Sequence, residues 1–421
     1  MLNEEAKNFF YENSQSTDWI FIFVILLVYP LPQLAIDIYL PSWPDMVVYF
    51  HTSNTLLQLS LTVYILFLGI AQLIYGPLSE KFGRKLMLLA GCAIFLFGSV
   101  GCLFVSSIGQ LLTLRAIQGL GIGCGFTLAS AILSDVFKGK MLAKMLSYSA
   151  MVYSLSIIFA PAVGGYLQYY FGWKASFVAM ALYTVVLMTS IYLFLPETNK
   201  KTIYTDNSKV NPHTLSLSNV CRSYLSLFSN MNFTGNLACL ILAYGIMVSF
   251  NTIAPFLLQD KLGLSEIGYG KSLFIIGFAY FLGLTINNQL LKFLSIKNTI
   301  KLGFLLMMIA GAGLIVANGF HWLTIDTLIV CVCLAFFSVG FIYPNCFADA
   351  LNTCDEKGYA SAFIGSAILL GVSILSVVAL HFSQHNENYL AYIFLISAFF
   401  GILFRHIQSL KQYRVGKSYV R

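Results

Sequence analysis

Charge is what this chain has least of. Of its 421 residues 10% are Asp, Glu, Lys or Arg and 58% are hydrophobic, where soluble proteins carry about 25% charged residues. So little charge excludes a water-soluble domain, because the apolar surface could not all be hidden from water, and the mean hydropathy is +0.80. Other absences narrow the chemistry. The nine cysteines form no C-x-x-C pair and read as small packing residues, neither ligands nor bridges. His381 and His385 have helical spacing but no carboxylate beside them, so no metal site is expected. No Gly-Lys pair has the spacing of a P-loop, which argues against direct ATP drive. No His, Asp or nucleophile cluster gathers at one depth, so an enzyme is not expected, nor is a cofactor.

What is there is a series of long apolar runs. About 20 apolar residues at roughly 1.5 Å each cross a hydrocarbon core. By that measure spans are expected at Trp19–Leu40, Leu56–Tyr75, Leu86–Val105, Leu111–Val136, Leu142–Tyr166, Ala175–Leu195, Phe233–Leu258, Ser272–Leu291, Ile300–Ala317, Leu323–Ala348, Ala360–Phe382 and Tyr389–Phe404. The reading is an all-α integral membrane protein with twelve transmembrane helices in two six-helix bundles. Its parts are a cytoplasmic segment 1–18, a first bundle 19–195, a polar linker 196–232 rich in Ser, Thr, Asn and Lys, a second bundle 233–404 and a basic cytoplasmic tail 405–421. The Trp19–Leu40 run is too long for a cleavable signal and follows an acidic stretch.

The net charge of +7 raises nucleic acid as a partner, but its placement argues against one. With the Gly76–Lys85 connection placed inside, Lys174, Lys261 and Lys271 are outside, Arg115 lies within a span and every other Lys and Arg falls inside. That asymmetry puts both termini in the cytoplasm.

The connection itself reads Gly76-Pro-Leu-Ser-Glu80-Lys-Phe-Gly83-Arg84-Lys85. Gly76 and Gly83 are expected to turn the backbone sharply and let helices approach. Its counterpart in the second half, Leu291 to Lys297, keeps cations but not glycines, so internal repetition is only faint.

Asp37 and Arg115 are the clear ionisable residues inside the expected hydrocarbon region. Charge there costs several kcal/mol and points to function. Asp37 sits about six residues, or roughly 9 Å, below the outer end of its span. Arg115 enters from the same side to nearly the same level, so the two are expected to face each other. One reading is a structural ion pair. The other is that Asp37 alternately holds and releases a proton, since desolvation favours a neutral carboxyl and a nearby cation an ionised one. Gln33 shares a helix face with Asp37, and Gln118 with Arg115. In the second half Tyr244 with Asn251, and Tyr280 with Asn287, are spaced to share stripes. Tyr343 and Asn345 flank Pro344, where a broken helix would free backbone groups. Together these side chains describe an amphipathic, aromatic substrate site. Asp349 and Asp326 lie near span ends and read as solvated.

The G-x-L-x-E-K-x-G-R-K pattern resembles the loop between the second and third helices of the major facilitator superfamily, with Glu80 where that family usually has Asp. Asp37-Ile-Tyr-Leu-Pro-Ser-Trp-Pro44 and Leu114-Arg115-Ala-Ile-Gln118-Gly-Leu-Gly121 resemble first- and fourth-helix signatures of its Bcr/CflA group of twelve-span drug:proton antiporters. The resemblance implies that Arg115 takes part in proton transfer and that Asp135 pairs with the basic loop, through Arg84. Leu195-Pro-Glu-Thr198 closes the first half as in relatives. The antiporter signature of the fifth helix reads Ser147, Ser156, Ala160, Pro161, Gly164 and Gly165; the last three match, while the rest are small residues in place of glycine. They still permit close contact and a proline bend.

What the resemblance implies is a monomer of the major facilitator fold in the bacterial inner membrane, exporting small drug-like molecules by proton antiport and alternating access. The expected partners are a small-molecule substrate, protons and lipid. Export of an endogenous metabolite or siderophore, and proton-coupled uptake, stay open; a receptor or scaffold without transport is a third class.

Overall fold

The computed structural model describes residues 15–199, 230–322, 324–352, 357–383 and 388–418. The first fourteen residues, the expected linker over 200–229, Cys221, Leu323, Cys354, His385 and the last residues 419–421 lie outside the described residues. Among the described residues, twelve helices are long and apolar enough to cross a membrane: Trp19–Tyr49, Asn54–Phe82, Arg84–Gly101, Ile108–Val136, Lys144–Phe171, Lys174–Phe194, Met231–Lys261, Glu266–Leu290, Ile296–Gly319, Ile325–Leu351, Phe363–His381 and Tyr389–Ile407. They are called spans 1 to 12 below.

Most spans run past the ends of their apolar windows, because helix propensity continues where hydropathy stops. Ser53, Ser107, Ser295 and Thr324 cap helix starts through their hydroxyls, accepting otherwise unmatched N–H groups. Span 1 is segmented: a helix to Val28, a second over Pro30–Asp37, a 3-10 turn over Leu40–Ser42 and a last helix Trp43–Tyr49. Pro30 and Pro41 lack the N–H that would carry the preceding turn forward, so each restarts the helix. Span 1 therefore goes beyond the expected end at Leu40.

The connection after span 2 is much shorter than the sequence pattern indicated. Gly76 to Phe82 stay helical, and Gly83 alone makes the turn at φ +97°, a conformation that glycine adopts without a Cβ clash. Gly76 has no turning role.

The described residues divide into two compact units, 15–199 with Ser265–Gly270, and 230–264 with 271–418. In the first, span 2 packs on span 4, span 3 on spans 4 and 6, and the Pro30–Asp37 helix on span 5. Lipid tails are as apolar as leucine, so close packing must hold such helices together. Gly119 and Gly121 of span 4 show how: a Cβ on either would collide with the backbone of Tyr64 or Phe95. In the second unit span 9 lies on spans 10 and 12, and span 7 on spans 10, 11 and 12. Span 7 passes Pro255 into a π-turn over Phe256–Lys261.

Candidate functional site

Asp37 is the last residue of the Pro30–Asp37 helix and is 1% exposed. Gln33, one turn earlier, donates Nε2 to Asp37 Oδ2 at 2.7 Å. Across the bundle, the Tyr153 hydroxyl of span 5 donates to Gln33 Oε1, also at 2.7 Å. Tyr153, Gln33 and Asp37 thus form one hydrogen-bonded chain inside the membrane-spanning region.

Arg115 of span 4 is fully buried, and it hydrogen-bonds an amide and a carbonyl, not a carboxylate. One terminal nitrogen donates to Gln118 Oε1 at 2.8 Å and the other to the Ala35 carbonyl at 3.0 Å. The guanidinium carbon lies 4.4 Å from the Tyr39 ring centre and 4.2 Å from that of Tyr64, a cation held between two π faces. Both phenols are fixed: Tyr39 bonds Ser60 and Tyr64 donates to the Pro32 carbonyl. Gln118 donates onward to Ser99 Oγ at 2.8 Å. The expected meeting of Asp37 and Arg115 therefore takes another form. Arg115 grips the backbone of the helix that carries Asp37, through the Ala35 carbonyl. Gln33 and Gln118 do accompany their charged partners. Tyr39, Tyr64, Ser99 and Tyr153 were missed; an aromatic in an apolar run gives no sign of whether it faces lipid or a cation.

At the end of the first unit beside the Gly83 turn, Arg84 Nε meets Asp135 Oδ2 at 3.3 Å, the pair the resemblance implied. Arg84 also donates to Ser79 Oγ. The carboxylate of Glu197 takes the backbone N–H groups of Arg84 and Lys85 at 2.9 and 3.1 Å, an anion seated on the first turn of a helix. Thr198 Oγ1 donates to Asp135, and Asn199 Nδ2 to the carbonyls of Ser79 and Glu80. Residues 197–199, assigned from composition to the linker, are thus part of this joint. Glu80 enters it through its main-chain oxygen. In span 5, Pro161 lies within a continuous helix. The Cα of Gly164 faces the Ile38 carbonyl so closely that a Cβ would not fit, and Gly165 stands likewise against the Glu266 carbonyl, in the Ser265–Gly270 stretch of the same unit.

In the second unit the rings of Tyr244 and Tyr343 are 6.2 Å apart, and Tyr343 stacks with Phe347 at 6.3 Å. Asn345 Nδ2 donates to Asn287 Oδ1 at 2.6 Å. Tyr280 and Asn251 are buried. The break expected at Pro344 does not occur, since Ile325–Leu351 is one helix. Pro344 leaves the Gly340 carbonyl without its helical donor, while the Asn345 side chain bonds a different carbonyl, that of Phe341, at 2.7 Å. Asp349 is not simply solvated: Arg405 NH1 donates to it at 3.2 Å and to Asn236 Oδ1 at 2.7 Å. Arg405, assigned to the tail, is buried within the last helix, which runs on to Ser418. Asp326 is exposed in the first turn of its helix. No group of three or more potential metal ligands occurs among the described residues.

Comparison with known proteins places these features in a family. A profile described as Major Facilitator Superfamily matches residues 25–376. The chain is 27% identical over 382 residues to a bicyclomycin resistance protein homolog of Haemophilus influenzae, covering 87% of this chain and 90% of that protein. It is 25% identical over 384 residues to multidrug resistance protein D of Escherichia coli, covering 91% and 93%. The crystal structure of a D-xylose-proton symporter superposes with a TM-score of 0.74 at 16% identity, over 91% of this chain and 97% of that one; at that identity the likeness is one of fold.

Proposed function

Because the chain belongs to the Major Facilitator Superfamily, we propose that this multi-pass transporter exports small amphipathic, drug-like molecules across the bacterial inner membrane in exchange for protons, by alternating access. Drug export is carried over from the relatives named for bicyclomycin and multidrug resistance. The observation that carries proton coupling is Asp37, a carboxyl buried within a membrane span and hydrogen-bonded to Gln33. Such a group is costly to keep unless it works. It takes a proton when the site faces the outer side and gives it up inside, where substrate competes for its charge. Arg115, bonded to Ala35 on the same helix, keeps a positive field near that carboxyl in both states. Tyr244, Tyr343 and Phe347 supply ring faces for a planar or cationic substrate, and the Asn287–Asn345 pair supplies amides. In this reading the chain works as a monomer with both termini in the cytoplasm and needs no cofactor beyond the proton gradient.

The test is proton release by the full-length purified protein in lightly buffered detergent on adding tetraphenylphosphonium or bicyclomycin. Wild type releases protons and Asp37→Asn does not. Equal release by both would move the coupling elsewhere and leave Asp37 a packing residue. Silence from wild type with both compounds would count against drug export.

A further inference from the structure

Asn345 of span 10 donates its amide NH2 to the carbonyl oxygen of Phe341 at 2.7 Å and to Asn287 Oδ1 of span 8 at 2.6 Å. A backbone carbonyl only accepts, so the first bond fixes which end of the Asn345 amide is nitrogen. Both N–H groups of that nitrogen are then used, and the second bond requires Asn287 to present its oxygen. What remains is one acceptor, Asn345 Oδ1, and one donor, Asn287 Nδ2. Neither has a hydrogen-bond partner among the described residues, although Asn287 is 2% exposed and Asn345 3%. Neither is among the orphan polar atoms sealed completely from solvent, so both reach open space. Buried amide ends are costly to leave unmet.

We propose that this pair recognises an uncharged secondary amide of the transported molecule, whose N–H donates to Asn345 Oδ1 and whose C=O accepts from Asn287 Nδ2. The reach fits. The free ends lie within about 7 Å of each other, being separated by the 2.6 Å bond and the width of one amide on each side. A secondary amide with a hydrogen bond at either end spans up to about 8 Å. The pairing also selects: an ammonium ion offers donors alone and leaves Asn287 Nδ2 unmet, while an ester or ketone accepts alone and leaves Asn345 Oδ1 unmet.

Charge is not what the pair reads. Asp349, one turn further along span 10, is already bonded by Arg405 and Asn236. Tyr280 lies two turns from Asn287 on the same face of span 8, is buried, and stands within electrostatic reach of Tyr244 and Tyr343. Their rings would take the apolar body of the molecule whose amide the asparagines hold. The inference rests on the reading of this cluster as the substrate site and narrows its substrates to amphipathic molecules with a neutral amide.

The experiment is equilibrium dialysis of the full-length purified protein in detergent against two radiolabelled probes: the cyclic dipeptide of leucine and phenylalanine, and its N,N′-dimethyl derivative, which keeps the carbonyls and loses both N–H groups. Wild type is expected to bind the N–H form about 5- to 30-fold more tightly than the methylated form. In Asn345→Leu that preference is expected to vanish while the methylated probe binds within about 3-fold of its wild-type affinity. A purely structural role for Asn345 does not give this result, since lost structure weakens both probes alike. Equal binding of the two probes by wild type, or a preference that Asn345→Leu leaves intact, overturns the proposal and leaves the pair to be met by water. If Asn345→Leu is not recovered folded, the wild-type comparison decides. Tetraphenylphosphonium bound in a Tyr343-dependent way, with the two dipeptides alike or both unbound, rejects the amide and spares the cluster as substrate site. No binding of any of the three rejects both.

Discussion

Arg115 donates to the carbonyl oxygen of Ala35 at 3.0 Å, on the short helix that ends at Asp37. The buried cation is thus a brace on the carboxylate's helix, and its ring partners belong to two spans, Tyr39 to the first and Tyr64 to the second. Arg115→Lys keeps the charge but loses the planar fork. It is expected to lower the thermal midpoint in detergent clearly and to abolish proton-driven efflux. Tyr64→Leu is expected to cost about 1 to 2 kcal/mol from the lost ring face. An Arg115→Lys protein as stable and active as wild type would show that the fork is dispensable.

Asp37→Asn keeps shape and can still accept from Gln33, but it cannot cycle a proton. In proteoliposomes it is expected to lose uphill transport of tetraphenylphosphonium driven by a pH gradient while retaining downhill exchange of the same cation. Loss of both at once would mark Asp37 as a binding group with no separate coupling role.

At the turn between spans 2 and 3, Gly83 has φ +97° and a Cβ there would lie 2.5 Å from Glu197 Oε2. Gly83→Ala combines left-handed backbone strain with that collision, and is expected to destabilise by about 1 to 3 kcal/mol. Glu197→Ala strips two helix N–H groups of their acceptor, and is expected to cost about 1 to 2 kcal/mol. Thermal unfolding in detergent reads both. Glu197→Gln, which keeps an acceptor oxygen, is expected to fall between Glu197→Ala and wild type.

In the second unit, Tyr343→Leu removes a ring that stands near both Tyr244 and Phe347. Affinity for tetraphenylphosphonium, measured by equilibrium dialysis, is expected to fall about 3- to 30-fold, and Tyr343→Phe to fall much less. Equal affinities in wild type and Tyr343→Leu would remove this cluster from the substrate site.

The twelve helices were legible because hydropathy is a bulk signal: each span must match the thickness of the same bilayer. Asp37 and Arg115 stood out for the same reason, being costly charges in apolar runs. Their partners did not, since Tyr39, Tyr64 and Tyr153 look in sequence like any of the chain's other tyrosines, and only the fold decides which ring meets a guanidinium. Arg405 was misassigned because apolar character ends at Phe404 while the helix and its burial do not. Residues 197–199 were misassigned for the complementary reason. They are polar, and polar composition marks a linker whether or not its side chains find backbone partners. The connection at Gly83 was placed correctly, but its length depended on a single dihedral angle.

The carboxylate of Glu197 grips main-chain amides at Arg84 and Lys85, and this separates visibility from necessity. Every residue type except proline presents such an amide. Side chains at 84 and 85 are therefore free to drift over generations without loosening that grip, even where drift deletes the Arg84–Asp135 pair. Position 197 has no such latitude. A survey of natural variation guided by charged motifs would watch the wrong end of the bond.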